Sequence, residues 1–208
     1  MTTPLGSLEV IEAGARVAAI RRGTRETDVT VRVALDGRGD AEIATGIGFY
    51  DHLLTSLAHH SLIDIAINAS GDLEVDDHHT VEDVALVLGS ALAAALGDRA
   101  GIERFGDASI PMDEAVASAV IDLGGRPYAV IDLPFRGERI GALSTQLIEH
   151  ALEAFARTAG ATLHVNGTGR NDHHLAEAAF KALARALRAA CTADPRRVGA
   201  ASTKGTLG

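Results

Sequence analysis

Apolar and polar positions alternate from Val29 through Val31 and Val33 to Leu35, and the pattern stops at Asp36-Gly37. That predicts a strand closed by a turn, with residues 41–45 returning as its hairpin partner. From Asp51 to about His60 the spacing changes to that of a helix, with Leu53, Leu54, Leu57 and Ala58 on one side. Ile63 to Asn68 alternates again as a strand and turns at Gly71-Asp72. A second helix is expected from about Thr80 to Leu96, carrying Val81, Val84, Ala85, Leu88 and Leu92 on one face and stopped by Gly97-Asp98.

The later part of the chain repeats this order. Ala115 to Leu123 reads as a strand, Gly124 to Pro127 as a turn, and Tyr128 to Leu133 as the partner strand. A helix follows from about Ser144 to Ala159, ended by Gly160. Thr162 to Val165 is a short strand, and a final helix covers about His174 to Cys191. Each half therefore reads strand-strand-helix-strand-helix. Two such units predict an α+β fold of two pseudo-symmetric halves, with sheets that carry their helices on one face. Residues 1–15 lack an element pattern and are expected to be a flexible tail. Residues 16–208 form a single domain of two similar halves, about 16–108 and 109–208.

Composition narrows the class. Apolar residues make up 47% of the 208 positions, but aromatics are only 3% and Trp is absent. Ala, Val, Ile and Leu must therefore build the interior. The net charge of −9 and the lack of any Lys/Arg run argue against a nucleic-acid surface. No apolar run approaches the ~20 residues of a membrane span, and no membrane partner is expected. Residues 1–15 show neither an apolar signal core nor the Arg-rich character of a transit peptide. A lone cysteine, Cys191, suits a reducing compartment and reads as a small buried hydrophobe. Together these point to the cytoplasm.

One motif occurs twice. His78, His79 and Glu82 form the pattern HHxxE, and so do His173, His174 and Glu177. Positions i, i+3 and i+4 share a helix face, so each copy gathers imidazoles and a carboxylate within about one turn. Such nitrogen and oxygen donors hold borderline-hard divalent metals. With 9 His and 12 Glu in the chain, chance supplies roughly 0.02 copies of the pattern. Each copy also has a forerunner: Asp51-His52 lies upstream of the first, and Glu149-His150 lies at a similar distance upstream of the second. The repeat looks like an internal duplication of a metal half-site. In both halves the HHxxE falls at the N-terminal end of the last helix, where the helix dipole favours acidic groups.

Several ordered motifs carry a resemblance to the imidazoleglycerol-phosphate dehydratase family, over about residues 21 to 208. They are Arg25-Glu26-Thr27, GFYDHLL at 48–54, DDHHTVEDVAL at 76–86, GIERFGDA at 101–108, PMDEA at 111–115, GGRPY at 124–128, TQLIEH at 145–150, NDHHLAEAAFKALARALR at 171–188 and STKG at 202–205. The resemblance implies a lyase of histidine biosynthesis that dehydrates imidazole glycerol phosphate to imidazole-acetol phosphate. It implies two manganese(II) ions per active site, with His52, His78, His79, Glu82, His150, His173, His174 and Glu177 as ligands. It assigns the catalytic acid/base to Glu26, and the phosphate to Arg104, Arg126, Lys181, Ser202 and Lys204. It further implies self-association, as a 24-subunit shell built from trimers with sites at subunit contacts. Relatives with a fused phosphatase domain exist, and a monofunctional chain is expected here.

The residues add chemistry of their own. The carbon-bound proton of such a substrate is not acidic, since no carbonyl adjoins it. Holding the imidazole between two cations favours imidazolate, whose electrons expel the adjacent hydroxyl, and a carboxylate then removes the activated proton. The only two lysines are Lys181 and Lys204, and Lys181 lies one helical turn beyond Glu177, on the metal side. His59, His60 and His164 stand outside the ligand set. Asn166 to Thr168 departs from the family pattern, so its loop is expected to differ. On the residues alone, a dinuclear metallohydrolase and a metal-buffering shell stay open beside the lyase.

Overall fold

The computed structural model describes residues 7–207. In chain order the strands are β1 (Leu8–Gly14), β2 (Val17–Gly23), β3 (Thr27–Ala34), β4 (Ala41–Ala44), β5 (Asp64–Gly71), β6 (Phe105–Met112), β7 (Ala115–Asp122), β8 (Tyr128–Asp132), β9 (Arg139–Ile140), β10 (Leu143–Ser144) and β11 (Thr162–Thr168). The helices are α1 (Gly48–Ser61), α2 (His78–Leu96), α3 (Thr145–Ala159) and α4 (Asp172–Cys191). One sheet has the order β1-β2-β3-β5-β4 and the other β6-β7-β11-β8.

The duplication is visible in the pairing. In each half two antiparallel steps (β2 to β3 to β5, and β6 to β7 to β11) are followed by one parallel step, to β4 and to β8. The plan shared by the halves is three strands, a helix, a strand and a helix, to which β1 and the short β9–β10 hairpin are added. The shared strands that the sequence pattern missed are β2 and β6. β2 ends in Arg21-Arg22-Gly23, and β6 contains Gly106 and Pro111, so neither shows a clean alternation. Pro111 is tolerated because β6 is an edge strand.

Both expected hairpins are corrected. The segment 41–44 does not return along β3; it runs parallel to β5, from Ala41 opposite Ile65 to Ala44 opposite Asn68. The cause lies in the turn, where Asp64 at the start of β5 accepts hydrogen bonds from the amides of Arg38, Gly39 and Asp40 at 2.7–2.9 Å. The chain is thereby drawn past β3 to the far side of β5. Likewise β8 pairs with β11 and not with β7, and the Tyr128 amide donates to Ala161 O at the entrance to β11. The tail is corrected in part: residues 8–14 form β1, which pairs with β2, while residues 1–6 lie outside the described residues. Asn166 to Thr168 is no loop either. It continues β11 against Ser118, Ala117 and Val116 of β7.

Each sheet buries one face under its own helices, and the helices of the two halves pack on each other, α2 on α3 and α1 on α4. β3 shows how the pattern works: Val29, Val31 and Val33 are buried while Asp28 and Arg32 face solvent. The low aromatic content permits close approach. A Cβ on Gly89 of α2 would stand 2.5 Å from Phe155 O of α3, and one on Gly106 of β6 would stand 2.9 Å from Ala190 N of α4. α2 is long and apolar enough by composition to cross a membrane, contrary to the expectation from sequence. Val81, Val84, Val87, Leu88, Ala91 and Leu92 are all buried in the core, so α2 is a central helix of the sandwich. Cys191 is buried at the end of α4, and burial pushes its thiol up to about 12.

Candidate metal centres and anion cleft

The helix starts that carry HHxxE are built alike. Asp76 Oδ1 accepts from the His78 amide at 2.8 Å, and Asn171 Oδ1 accepts from the His173 amide at 3.0 Å. These side chains satisfy amides that the first helical turn leaves free. The next residues anchor the helices to the other elements. Asp77 accepts from the amide and hydroxyl of Ser144, at the start of α3, and Asp172 accepts from the amides of Arg136 and Gly137. The acids of the forerunner pairs do similar work and are not ligands. Asp51 accepts from the amide and hydroxyl of Thr45, just after β4, and Glu149 accepts from the Leu133 amide, just after β8.

Six of the eight expected ligands converge in two groups. His52, His173 and Glu177 form one, and His78, Glu82 and His150 the other, with the donor atoms of each group within 4.8 Å of one another. In the first, Glu177 Oε1 lies 2.9 Å from His52 Nε2 and 2.8 Å from His173 Nε2. In the second, Glu82 lies 3.9 Å from His78 Nε2 and 3.4 Å from His150 Nε2. The halves exchange histidines: His52 leaves its own half to meet Glu177, and His150 leaves its own half to meet Glu82. The duplication alone did not reveal this crossing.

The donor chemistry fits a divalent cation. Each group offers two imidazole nitrogens and a carboxylate, and no thiolate. His150 Nε2 is buried with no hydrogen-bond partner among the described residues, a nitrogen that a bound cation would satisfy. Burial works against the Glu177 charge, but hydrogen bonds from Lys181, His52 and His173 outweigh it and hold this carboxyl down at about 2. Lys181 Nζ lies 2.5 Å from Glu177 Oε2, as its spacing on the helix predicts.

The remaining two ligand candidates stand apart. His79 Nδ1 faces Asp72 Oδ2 at 3.0 Å, with Glu26 Oε2 at 3.7 Å. His174 Nδ1 faces Glu114 Oε2 at 2.9 Å. Glu26 sits in the short β2–β3 connection, where Thr24 Oγ1 accepts the amides of Glu26 and Thr27. That hairpin is pinned to α2 by buried Asp83, which pairs with Arg22 and accepts from the Thr27 hydroxyl. Reading the sequence missed Asp83, Asp72 and Glu114 as parts of the site. Glu114 lay inside the PMDEA motif, but nothing in the motif linked it to a histidine 60 residues on.

Four of the five expected phosphate residues, Arg104, Arg126, Ser202 and Lys204, line one cleft of about 340 Å³. Arg104 is fixed there by two bonds to Asp122, at 2.6 and 2.8 Å, and by one to Ala201 O. It also stacks over the Phe105 ring at 4.6 Å. Lys181 is not among them. Its Nζ lies 3.6 Å from Met112 Sδ, at the opposite end of β6 from Arg104. At about 3.3 Å per residue, β6 sets Phe105 and Met112 about 23 Å apart. His59, His60 and His164 fall outside both metal groups.

Two matched His/Glu groups with the donors of a divalent-metal site, in a duplicated α+β sandwich that also carries a cationic cleft, are the features of a candidate metalloenzyme. Comparison with known proteins makes this specific. The family model for imidazoleglycerol-phosphate dehydratase matches residues 45–187. The imidazoleglycerol-phosphate dehydratase of Gluconacetobacter diazotrophicus is 54% identical over 93% of this chain and 98% of its own length. That of Methanocella arvoryzae is 53% identical over 92% of this chain and all of its own. Among solved structures, the Staphylococcus aureus dehydratase superposes with a TM-score of 0.77 at 35% identity, covering 85% of this chain and 99% of that one. The Pyrococcus furiosus enzyme, crystallised with (S)-C348, gives 0.77 at 37% identity over 90% and 99%. The chain belongs to the imidazoleglycerol-phosphate dehydratase family. It is a lyase that dehydrates imidazoleglycerol phosphate in histidine biosynthesis, and the hydrolase and metal-buffer readings fall away.

Proposed function

We propose that the dehydration uses two manganese(II) ions, one at His52, His173 and Glu177 and one at His78, Glu82 and His150. The observation that carries this is the convergence of each donor set within 4.8 Å, together with the orphaned His150 Nε2. Bound there, manganese(II) supplies Lewis acidity and a template for the substrate's imidazole. Glu26 removes and returns the carbon-bound proton. Its side chain is 57% exposed, and its carboxylate accepts no hydrogen bond among the described residues, so it is available to a substrate. Arg104, Arg126, Ser202 and Lys204 hold the phosphate, while Lys181 reaches it from another chain.

The distribution of the parts supports self-association. The anion cleft and Lys181 stand at opposite ends of β6, and His79 and His174 turn away from the clusters of their own chain. In a shell of 24 subunits built from trimers, His79 and His174 complete the clusters of neighbouring subunits and bring the ligand count to eight. Val116, Val120 and Val130 on the outer face of the second sheet are exposed apolar residues of the kind that subunit contacts cover. The enzyme acts in the cytoplasm. The test is to strip the protein with chelator and assay imidazole-acetol phosphate formation with and without manganese(II). Turnover restored by the metal supports the reading; full turnover in the stripped, metal-free protein contradicts it.

A further inference from the structure

His79 and His174 occupy equivalent positions in the two halves, yet their Nδ1 atoms are held by carboxylates from non-equivalent positions. Pairing aligns Asp28 with Ser70 in the first sheet and Val116 with Thr168 in the second, at the equivalent place. On that register Asp72 corresponds to Arg170, and Glu114, just before β7, corresponds to Glu26, just before β3. In the second half Glu114 Oε2 takes the His174 Nδ1 at 2.9 Å, while its Oε1 accepts the amides of Arg170 and Asn171 at 2.9 and 2.7 Å. In the first half Asp72 takes the His79 Nδ1 at 3.0 Å, and Glu26 stands back at 3.7 Å.

We infer that Asp72 and Glu114 are positioning residues that fix His79 and His174 with the Nδ1 proton held inward and Nε2 directed outward as the metal-binding nitrogen. We infer also that Asp72, by taking this task in the first half, releases Glu26 for the substrate. A carboxylate on the far nitrogen of a ligating histidine sets both the tautomer and the ring orientation. The surroundings agree. The His79 and His174 side chains are 37% and 24% exposed, and the nearest acid to His174 Nε2 is the outlying Asp113 carboxylate at 3.9 Å. Asp72 is 18% exposed and lies deeper than His79, while Glu114 at 22% is buried to about the same degree as His174. The pattern also separates the two hairpin acids that the duplication made alike: Glu114 is fully engaged, and Glu26 is not.

This inference rests on His79 and His174 being metal ligands, and the experiment separates the two ideas. Manganese(II) is titrated into the chelator-stripped full chain, and free ion is read from its electron paramagnetic resonance spectrum. Asp72→Ala is expected to weaken binding about 10–100-fold, and to cost nothing further in a His79→Ala background. Glu114→Gln keeps an oxygen for the Arg170 and Asn171 amides but turns an NH2 toward His174 Nδ1. It is therefore expected to weaken binding by a similar factor, with the metal-free melting temperature unchanged. Wild-type affinity in both variants overturns the positioning role, as does an Asp72→Ala cost of equal size with and without His79. A wild-type protein that binds no manganese overturns the metal reading, and this inference with it.

Discussion

His52 Nε2 of the first half lies 2.9 Å from Glu177 Oε1 of the second. The contact ties α1 to α4 at the point where a cation is expected, and His150 and Glu82 tie α3 to α2 in the mirror arrangement. Neither half alone holds a complete donor group. The duplication therefore builds its donor groups by exchange, and these groups and the packing of the halves are one piece of architecture.

That exchange makes Glu177 the most sensitive position of its centre. Glu177→Gln removes the negative charge that His52, His173 and Lys181 share and replaces one of its two acceptor oxygens with an NH2. Manganese content, measured on the dialysed protein, is expected to fall from two ions per chain toward one. Turnover is expected to fall by more than the roughly 10–100-fold that an outer partner of a ligand costs.

Glu26 is expected to separate binding from chemistry. Glu26→Gln leaves both donor groups intact, so manganese content should stay at the wild-type value. A lost general acid/base costs about 10²–10⁴-fold in kcat. Steady-state kinetics with the metal-loaded enzyme checks this, and near-normal kcat would remove Glu26 from proton transfer.

The turn that redirects the chain from β3 to β4 carries a pH signature. Burial raises the Asp64 carboxyl, but hydrogen bonds from the amides of Asp40, Arg38 and Gly39 outweigh it, and the net shift is downward from 3.8. A depressed folded-state value adds stability above the unfolded value, and that stability is lost as pH falls through the folded one. Asp64→Asn is therefore expected to cost about 1 kcal/mol at neutral pH, with the gap to wild type closing below about pH 4. Denaturant unfolding at a series of pH values measures it. A gap that widens on acidification would contradict the assignment.

The helix layer should be intolerant of volume. Gly89→Ala places a methyl 2.5 Å from Phe155 O, and overpacking of this kind costs about 1–3 kcal/mol. Denaturant melts of the metal-free protein read the loss directly. Ala94→Gly on the partly buried side of the same helix is expected to cost about 1 kcal/mol through propensity, which sets the scale for comparison.

How much was legible follows from what each signal measures. Helices α1 to α4 were readable because Leu and Val recur at helical spacing and Gly97 and Gly160 mark stops. β3, β5 and β7 were readable because one face is buried. β2 and β6 were not, since Arg21 and Arg22 in the interior strand β2, and Gly106 and Pro111 in the edge strand β6, break the alternation. Strand order was misread because a turn's residues show that the chain reverses, and not which neighbour it reaches; Asp64 decides that from 24 residues away. Six ligand candidates stood out because HHxxE is improbable by chance, and His52 and His150 because an acid-His pair precedes each copy at a similar distance and the family motifs include them. Their grouping was not, because His52 and Glu177 are 125 residues apart and meet only through the packing of α1 on α4.

The most direct test of the crossed centres is anomalous diffraction at the manganese edge from metal-loaded crystals. Two peaks per chain are expected, one among His52, His173 and Glu177 and one among His78, Glu82 and His150, each also touched by the Nε2 of a histidine from a neighbouring subunit. A single peak, or ions held by His52 with His78 of the same half, would contradict the exchange.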